Sequence, residues 1–424
     1  MELAADTTKI AKYSPTSTPI LDGVRPLPGR RWPRLSAGEY FFLSGAVILT
    51  LIALPEFRRH AESLAASLGI FPAGVLICLI IPGGAFFLSV ATHEAGHLLA
   101  ACLSGFRVAP NRLALPGSKY DSGRGLQSCD VFTLGILSLE ARKLDHLPLR
   151  LGLVVLGGPL ASLFVPSLLE AYALAQPTGV AFAVHVFAGI SVLLGIAELL
   201  PDAGKGNSSD GARFLMLLKN DAAGQRWLAI IHLQLALEQG EDPRTWDQAS
   251  VARITAIDDD SRDAVAARWL GYLWATERQD ITAATKYLEE ALAAPATASA
   301  WIRDQLFLEA AIFQAWFRDD LGCAHFWVAR IRSRKLMLAQ HLRLNVALLW
   351  AEGKLFDAWE KLGDHLALLR KLPDSPARLL AEKSAMEWKK QMESRMLSRA
   401  WRAMYSVTQE VDLSAPQSTE SLSK

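Results

Sequence analysis

The chain has 424 residues, enough for two or three domains, and hydrophobic residues make up 51% of it. Its 44 Lys and Arg against 43 Asp and Glu give a formal net charge of +1, so bulk electrostatics offers no reason to expect nucleic-acid binding. Cys78, Cys102, Cys129 and Cys323 are scattered with no C-x-x-C pair, which argues against a disulfide framework and against an all-Cys zinc site.

Residues 1–36 are polar, with Pro, Thr and Arg, and read as a flexible cytoplasmic tail. The charged stretch before the first apolar run is too long for a cleavable signal peptide. Apolar runs follow at about 40–55, 69–105, 150–172 and 179–200. A helix needs roughly 20 residues to cross a bilayer, so the first run is short and the second overlong. Pro82-Gly83-Gly84 is placed to kink or break that second run.

Lys and Arg set the direction of insertion. The tail carries Lys9, Lys12, Arg25, Arg30, Arg31 and Arg34, and the 107–150 loop carries Arg107, Arg112, Lys119, Arg124, Arg142, Lys143 and Arg150. No basic residue lies between Arg150 and Lys205. Placing the tail, that loop and everything after Lys205 in the cytoplasm predicts about four crossings, with 69–105 counted once. Only Arg58 and Arg59 then fall on the wrong side. The expectation is a multi-pass protein of the cell membrane with both termini cytoplasmic.

His93-Glu94-Ala95-Gly96-His97 lies inside the second run, in a stretch without Lys or Arg from His60 to Phe106. On a helix, two His at i and i+4 share a face and can grip one Zn²⁺, and the Glu between them can take a proton from water. An ionisable residue at the centre of a membrane helix costs about 2.5–3.5 kcal/mol on insertion scales, so such a cluster points to function. The bland alternative is a pair of His bonding across helices. Farther on, Gly157-Gly158-Pro159 suits close helix packing, and His185 stands alone on an apolar helix, where a polar packing contact is the simpler reading.

Zinc that works as a catalyst takes three protein ligands, so a third must come from elsewhere. Asp210-Gly211 opens a helical stretch, a position where an Asp serves as cap or as ligand, and Asp202 is a rival. Between the second and third runs, Arg112–Pro116 and Val131–Leu134 are short β-prone pieces flanking Gly-Ser turn chemistry.

Residues 222 to about 405 read as successive amphipathic helices. Asp280-Ile281-Thr282-Ala283-Ala284, Asp320-Leu321-Gly322-Cys323-Ala324 and Lys354-Leu355-Phe356-Asp357-Ala358 echo one another at a spacing near that of helix-turn-helix repeats. Trp269, Trp301, Trp316, Trp327, Trp350, Trp359 and Trp388 are read mostly as fillers between stacked helices. Residues 406–424, rich in Ser, Thr and Gln, read as a disordered tail.

Three pieces in order resemble the site-2 protease family of intramembrane zinc metalloproteases. His93 through Gly105-Phe106-Arg107-Val108 is similar to that family's H-E-x-G-H-x-x-x-A-x-x-x-G segment. Gly157-Gly158-Pro159-Leu160-Ala161-Ser162 is similar to its G-P-x-x-N motif, and Leu199-Leu200-Pro201 with Asp210-Gly211 to its L-L-P…D-G element. The resemblance spans residues 69–220. It implies Zn²⁺ held by His93, His97 and Asp210, Glu94 as the catalytic acid and base, and a transmembrane protein as substrate. Two residues depart from the pattern: Ser162 and Glu198 stand where the family has Asn residues that help to position substrate. The 106–149 loop would then hold a small sheet that pairs with an extended substrate.

The expected architecture is all-α and polytopic. A tail at 1–36 precedes a membrane-embedded metalloprotease domain at 37–220 with a small β-containing cytoplasmic loop. A soluble tetratricopeptide-like helical repeat domain follows at 221–405, then a disordered tail at 406–424. The repeats imply a cytoplasmic protein partner, and the bilayer itself is the other. The competing expectation is a catalytically inactive relative that serves as a membrane-anchored scaffold.

Overall fold

Apolar composition decides the first three helices. A computed structural model, which describes residues 21, 73–108, 139–141, 145–173, 178–201, 208–293, 300–331 and 338–413, places α1 at Ala73–Leu103, α2 at Leu147–Ala173 and α3 at Thr178–Leu199. Helices α1 and α2 carry large apolar side chains on their outer faces too: Phe87 is 72% exposed and Leu168 73%. A helix that is apolar all round belongs in a core or in a bilayer. Ile81–Leu103 and Leu147–Ala173 are long and apolar enough to cross a membrane, while the apolar part of α3, Ala183–Leu199, is shorter. The tail and the run at 40–55 lie outside the described residues.

Helix α1 continues through Pro82 instead of breaking there. Apolar helices tolerate proline where neighbouring groups take up the freed carbonyl. Helix α2 shows the device in full. Pro166 has no N–H for the Ser162 carbonyl one turn back, and Ser191 Oγ on α3 donates to that oxygen at 3.1 Å.

Small residues bring α1 and α2 together. A Cβ on Gly96 would run into the Gly157 carbonyl and Ala161, and one on Gly157 into the Gly96 carbonyl and Ala100. The two backbones touch, as helices do in apolar surroundings where side chains are small. Beyond α1, Gly105 adopts φ 75° and turns the chain into β1, Phe106–Val108, which pairs antiparallel with β2, Leu139–Ala141. Arg150 secures the turn: its Nε donates to the Ser104 carbonyl at 2.6 Å and its guanidinium lies over the Phe106 ring. The β-prone pieces at 112–116 and 131–134 lie outside the described residues.

Two helices close over the ends of α1 and α2. Helix α4 is Asp210–Lys219 and α5 is Ala222–Glu238, joined through Asn220 in the left-handed region and capped by Asp221, whose Oδ1 accepts the Gly224 N–H. Trp227, Ile231 and Leu235, four residues apart on one face of α5, bury themselves against Phe106, Leu147, Leu151, Val154 and Val155.

The remainder is helical: α6 Gln248–Thr255, α7 Arg262–Glu277, α8 Ile281–Ala293, α9 Ala300–Phe317, α10 Leu321–Val328, α11 Leu338–Ala351, α12 Leu355–Lys371 and α13 Pro376–Leu413. The three echoed segments open α8, α10 and α12. Each follows a residue with positive φ, at Gln279, Asp319 and Gly353, and Asp280 and Asp320 cap their helices with a side-chain oxygen. Trp316, Trp327 and Trp350 are buried, whereas Trp269, Trp359 and Trp388 are half-buried. The side chain of Trp301 lies outside those described. The described residues form two compact units that part between Leu306 and Phe307.

In the second unit His365 on α12 is buried at 4% exposure. Burial, with the Arg343 charge adding to it, pushes its pKa down from 6.5 to about 4. The unfolded chain therefore takes up a proton between those values that the folded unit refuses. Stability is complete above pH 6.5, falls by about 3 kcal/mol as pH drops toward 4, and levels off below that. Amide hydrogen exchange over α12, referenced to intrinsic rates at each pH, should show that loss, and His365→Leu should flatten it.

Candidate metal centre

The spacing of four residues on α1 turns His93 and His97 to one face, and that face meets α2. The helices run antiparallel there: His93 lies beside Ser162, and His97 beside Gly158, again four residues apart. A Cβ at Gly158 would overlap the His97 ring, so the glycine makes room for the imidazole. Both His are buried, at 7% and 3% exposure.

Each ring is held through Nδ1. His97 Nδ1 lies 2.7 Å from the Val154 carbonyl, which can only accept, so the nitrogen carries the proton and donates. The Gly158 N–H also approaches that nitrogen, at a longer 3.3 Å. His93 Nδ1 is 3.1 Å from Ser162 Oγ. With the ring proton on Nδ1 and Ser162 accepting, both Nε2 atoms present lone pairs to the space between the helices.

Asp210 completes the set from α4. Its Oδ2 is 3.2 Å from each Nε2, and the two Nε2 atoms are 3.1 Å apart. Three electron-pair donors thus form a nearly equilateral triangle in a buried place. Among hydrogen bonds of good geometry Oδ2 accepts none, although it is shielded from solvent. Neutral imidazoles and a carboxylate at these distances repel one another unless a cation stands among them. The edges also suit one: ligand atoms of a tetrahedral zinc at about 2.0–2.1 Å are separated by roughly 3.3 Å. The His93, His97 and Asp210 group can hold a metal ion.

Asp210 is the first helical residue of α4, and the capping role falls to Ser209, whose Oγ accepts the Ala212 N–H. The Asp is therefore free to face the two His. Gly211 lies so close to the Leu199 carbonyl that no side chain fits between them, and Ser209 Oγ donates to the Leu200 carbonyl at 2.6 Å. The rival Asp202 lies outside the described residues.

Glu94 is half-buried on α1 beside its two His, within electrostatic reach of His97. His185 takes no part: its Nδ1 pairs with Glu170 Oε2 at 2.6 Å across α2 and α3. Two residues written down as departures from a motif prove to belong to the site. Ser162 holds His93, and the Glu198 carboxylate accepts the backbone N–H of Asp210. Ser162 stands four residues after Gly158 just as His97 stands four after His93, but that spacing gains its meaning only from the face of α2 that meets α1. The sequence carries no signal for Glu198, because its contact depends on how the chain returns after Pro201.

Compared with known protein families, curated proteins and solved structures, the chain gives no match in any of the three.

Adding a single carbon tests the geometry. Gly158→Ala should strip tightly bound metal from the purified protein as fully as Asp210→Ala does, measured by elemental analysis. Gly84→Ala, on the same apolar helix as the two His but with open space around its Cα, should leave the metal content unchanged. Ser162→Ala should keep the metal but weaken its binding by about tenfold, the usual cost of freeing a ligand His from its outer partner.

Proposed function

We propose that the chain is a membrane-embedded zinc metalloprotease that hydrolyses peptide bonds of membrane-protein substrates within or next to the bilayer. The observation that carries this reading is the buried triangle of His93, His97 and Asp210, mounted on helices whose outer faces are apolar, with Glu94 adjacent. Two imidazoles and one carboxylate are a donor set suited to zinc in catalytic sites. A purely structural site would more often be closed by a fourth protein ligand, and among the described residues the group holds three. The three motifs in residues 69–220 that resemble the site-2 protease family supply these same groups.

When bound, zinc supplies Lewis acidity, which makes water a nucleophile at neutral pH and polarises a carbonyl. The protein's own groups do the rest. Val154 and Ser162 fix the two rings, so both Nε2 lone pairs converge. Asp210 adds negative charge that offsets the cation in an apolar setting. Glu94 takes the proton of the attacking water and returns it to the leaving amine, which completes the hydrolysis without a covalent intermediate. A substrate helix must unwind locally to present its carbonyl, since helical peptide groups satisfy one another.

The apolar exteriors of α1 and α2 suit a membrane, and the distribution of Lys and Arg along the sequence favours about four crossings with both termini cytoplasmic, the first apolar run and α3 supplying the others. The helices after α5 would then stand in the cytoplasm, where a repeat-like array serves as a docking surface for a protein partner.

Glu94→Gln decides between enzyme and scaffold. The variant should keep about one zinc per chain while cleavage falls by about 10²–10⁴. Mapping new N-termini of membrane proteins in cells carrying wild-type or variant protein reads the loss directly. Identical fragment patterns, or a well-folded wild type that holds no zinc, would leave the inactive membrane-anchored scaffold as the better reading.

A further inference from the structure

Helix α4 brings the carboxylate to the metal centre, yet it is only ten residues long. Helices that short are marginal on their own, so their position comes from what they pack against. On the side of α3, Asp210 is held by the contacts of Ser209, Gly211 and Glu198. On the other side Phe214 and Leu217 pack against the apolar core, and the charged tie is Arg213. Arg213, one turn after Asp210, forks onto Asp263 with Nη1 to Oδ2 at 2.5 Å and Nη2 to Oδ1 at 2.8 Å. Asp263 lies in the first turn of α7, where the helix end favours a negative charge, and Ser261 caps that turn by accepting the Ala264 N–H.

The fork is sheltered and braced. Both side chains are 14% exposed, and the guanidinium lies 4.8 Å from the centre of the Trp227 ring on α5. Two parallel charge-assisted bonds fix direction as well as distance, and a sheltered pair is screened far less by salt than a surface one. Among the described residues Asp263 is the acidic partner of Arg213, and the N–H capping of α7 falls to Ser261. The pair joins two helices that are otherwise far apart in sequence, at the turn that carries the ligand.

We propose that Arg213 and Asp263 are positioning residues for the metal ligand Asp210, so that α7 and the metal centre are energetically coupled. This rests on the reading of His93, His97 and Asp210 as a metal site. Coupling of this kind is reciprocal: whatever α7 does for metal affinity, metal does for the stability of α7.

The test uses the full-length protein in detergent, with Zn²⁺ alone as the probe. Zinc affinity is read by competition with a graded series of chelators. Amide hydrogen exchange over Arg262–Glu277 is followed with and without zinc. In the wild type, zinc should slow exchange in the first turns of α7. Asp263→Asn, which keeps the shape and loses the charge, should weaken zinc binding by about tenfold and abolish that zinc-dependent protection. Asp263→Glu should recover most of both. The unfolding midpoint of the metal-free protein should move little in either variant, which separates positioning from a general loss of fold. Unchanged affinity and unchanged protection in Asp263→Asn would overturn the proposal while leaving the metal site standing. A folded wild type that binds no zinc would overturn the metal reading, and this proposal with it.

Discussion

Gly96 and Gly157 allow two helix backbones to lie against each other, and most of what matters in this protein follows from that contact. At a wider spacing, filled by side chains of ordinary size, His97 would not reach the Val154 carbonyl, nor His93 the hydroxyl of Ser162. Close approach also explains why the neighbouring positions are so small. Ala100, Ala161 and Gly158 each sit where a larger group would push the helices apart or displace a ring. The contact sacrifices apolar side-chain burial and gains placement, a trade that suits helices apolar on their outer faces as well.

Placing two imidazoles and a carboxylate in such surroundings creates an electrostatic demand that the fold answers in layers. The ring protons go outward to a carbonyl and a hydroxyl, the lone pairs inward to one point, and the carboxylate arrives from a helix outside the apolar pair. That helix is in turn fastened on both flanks, by the end of α3 and by α7. The carbonyl freed by Pro166 receives its own donor from Ser191. The same economy appears in the helical region, where Arg226 and Arg268 are buried but meet Asp259 and Asp258 at its turns.

The helices and the residues that meet in the buried His93, His97 and Asp210 group were largely legible in the sequence, for identifiable reasons. The i, i+4 spacing of His93 and His97 depends only on the local period of the helix, and the Asp210-Gly211 context marked a helix start. The echoes at 280, 320 and 354, read as repeat starts, coincide with three helix starts, each preceded by a residue with positive φ. Less visible were contacts made between elements. Ser162 looked like a missing Asn, because one sequence does not show which face of α2 meets α1. Glu198 looked like another absence, because its partner is a backbone N–H twelve positions on. Nothing within one helix reveals that Arg213 and Asp263 are partners, since they lie on different helices. Pro82 looked like a break, and the continuity of α1 shows that an apolar helix can carry a proline that a short exposed one would not.

The apolar face of α5 has a consequence for how the molecule comes into being. Trp227, Ile231 and Leu235 cover the buried ends of α1 and α2, but they are synthesised long after them. As the chain grows, the two imidazoles are laid down first, facing each other with no carboxylate between them. Asp210 follows, and only when α5 and then α7 have emerged is its helix held on every side. A nascent chain therefore carries two donors of the three and an open seam, and the centre closes only when the later helices fold back upon it. Order of synthesis thus sets order of closure: the place where His93, His97 and Asp210 meet is held on both flanks only once α7 has been made.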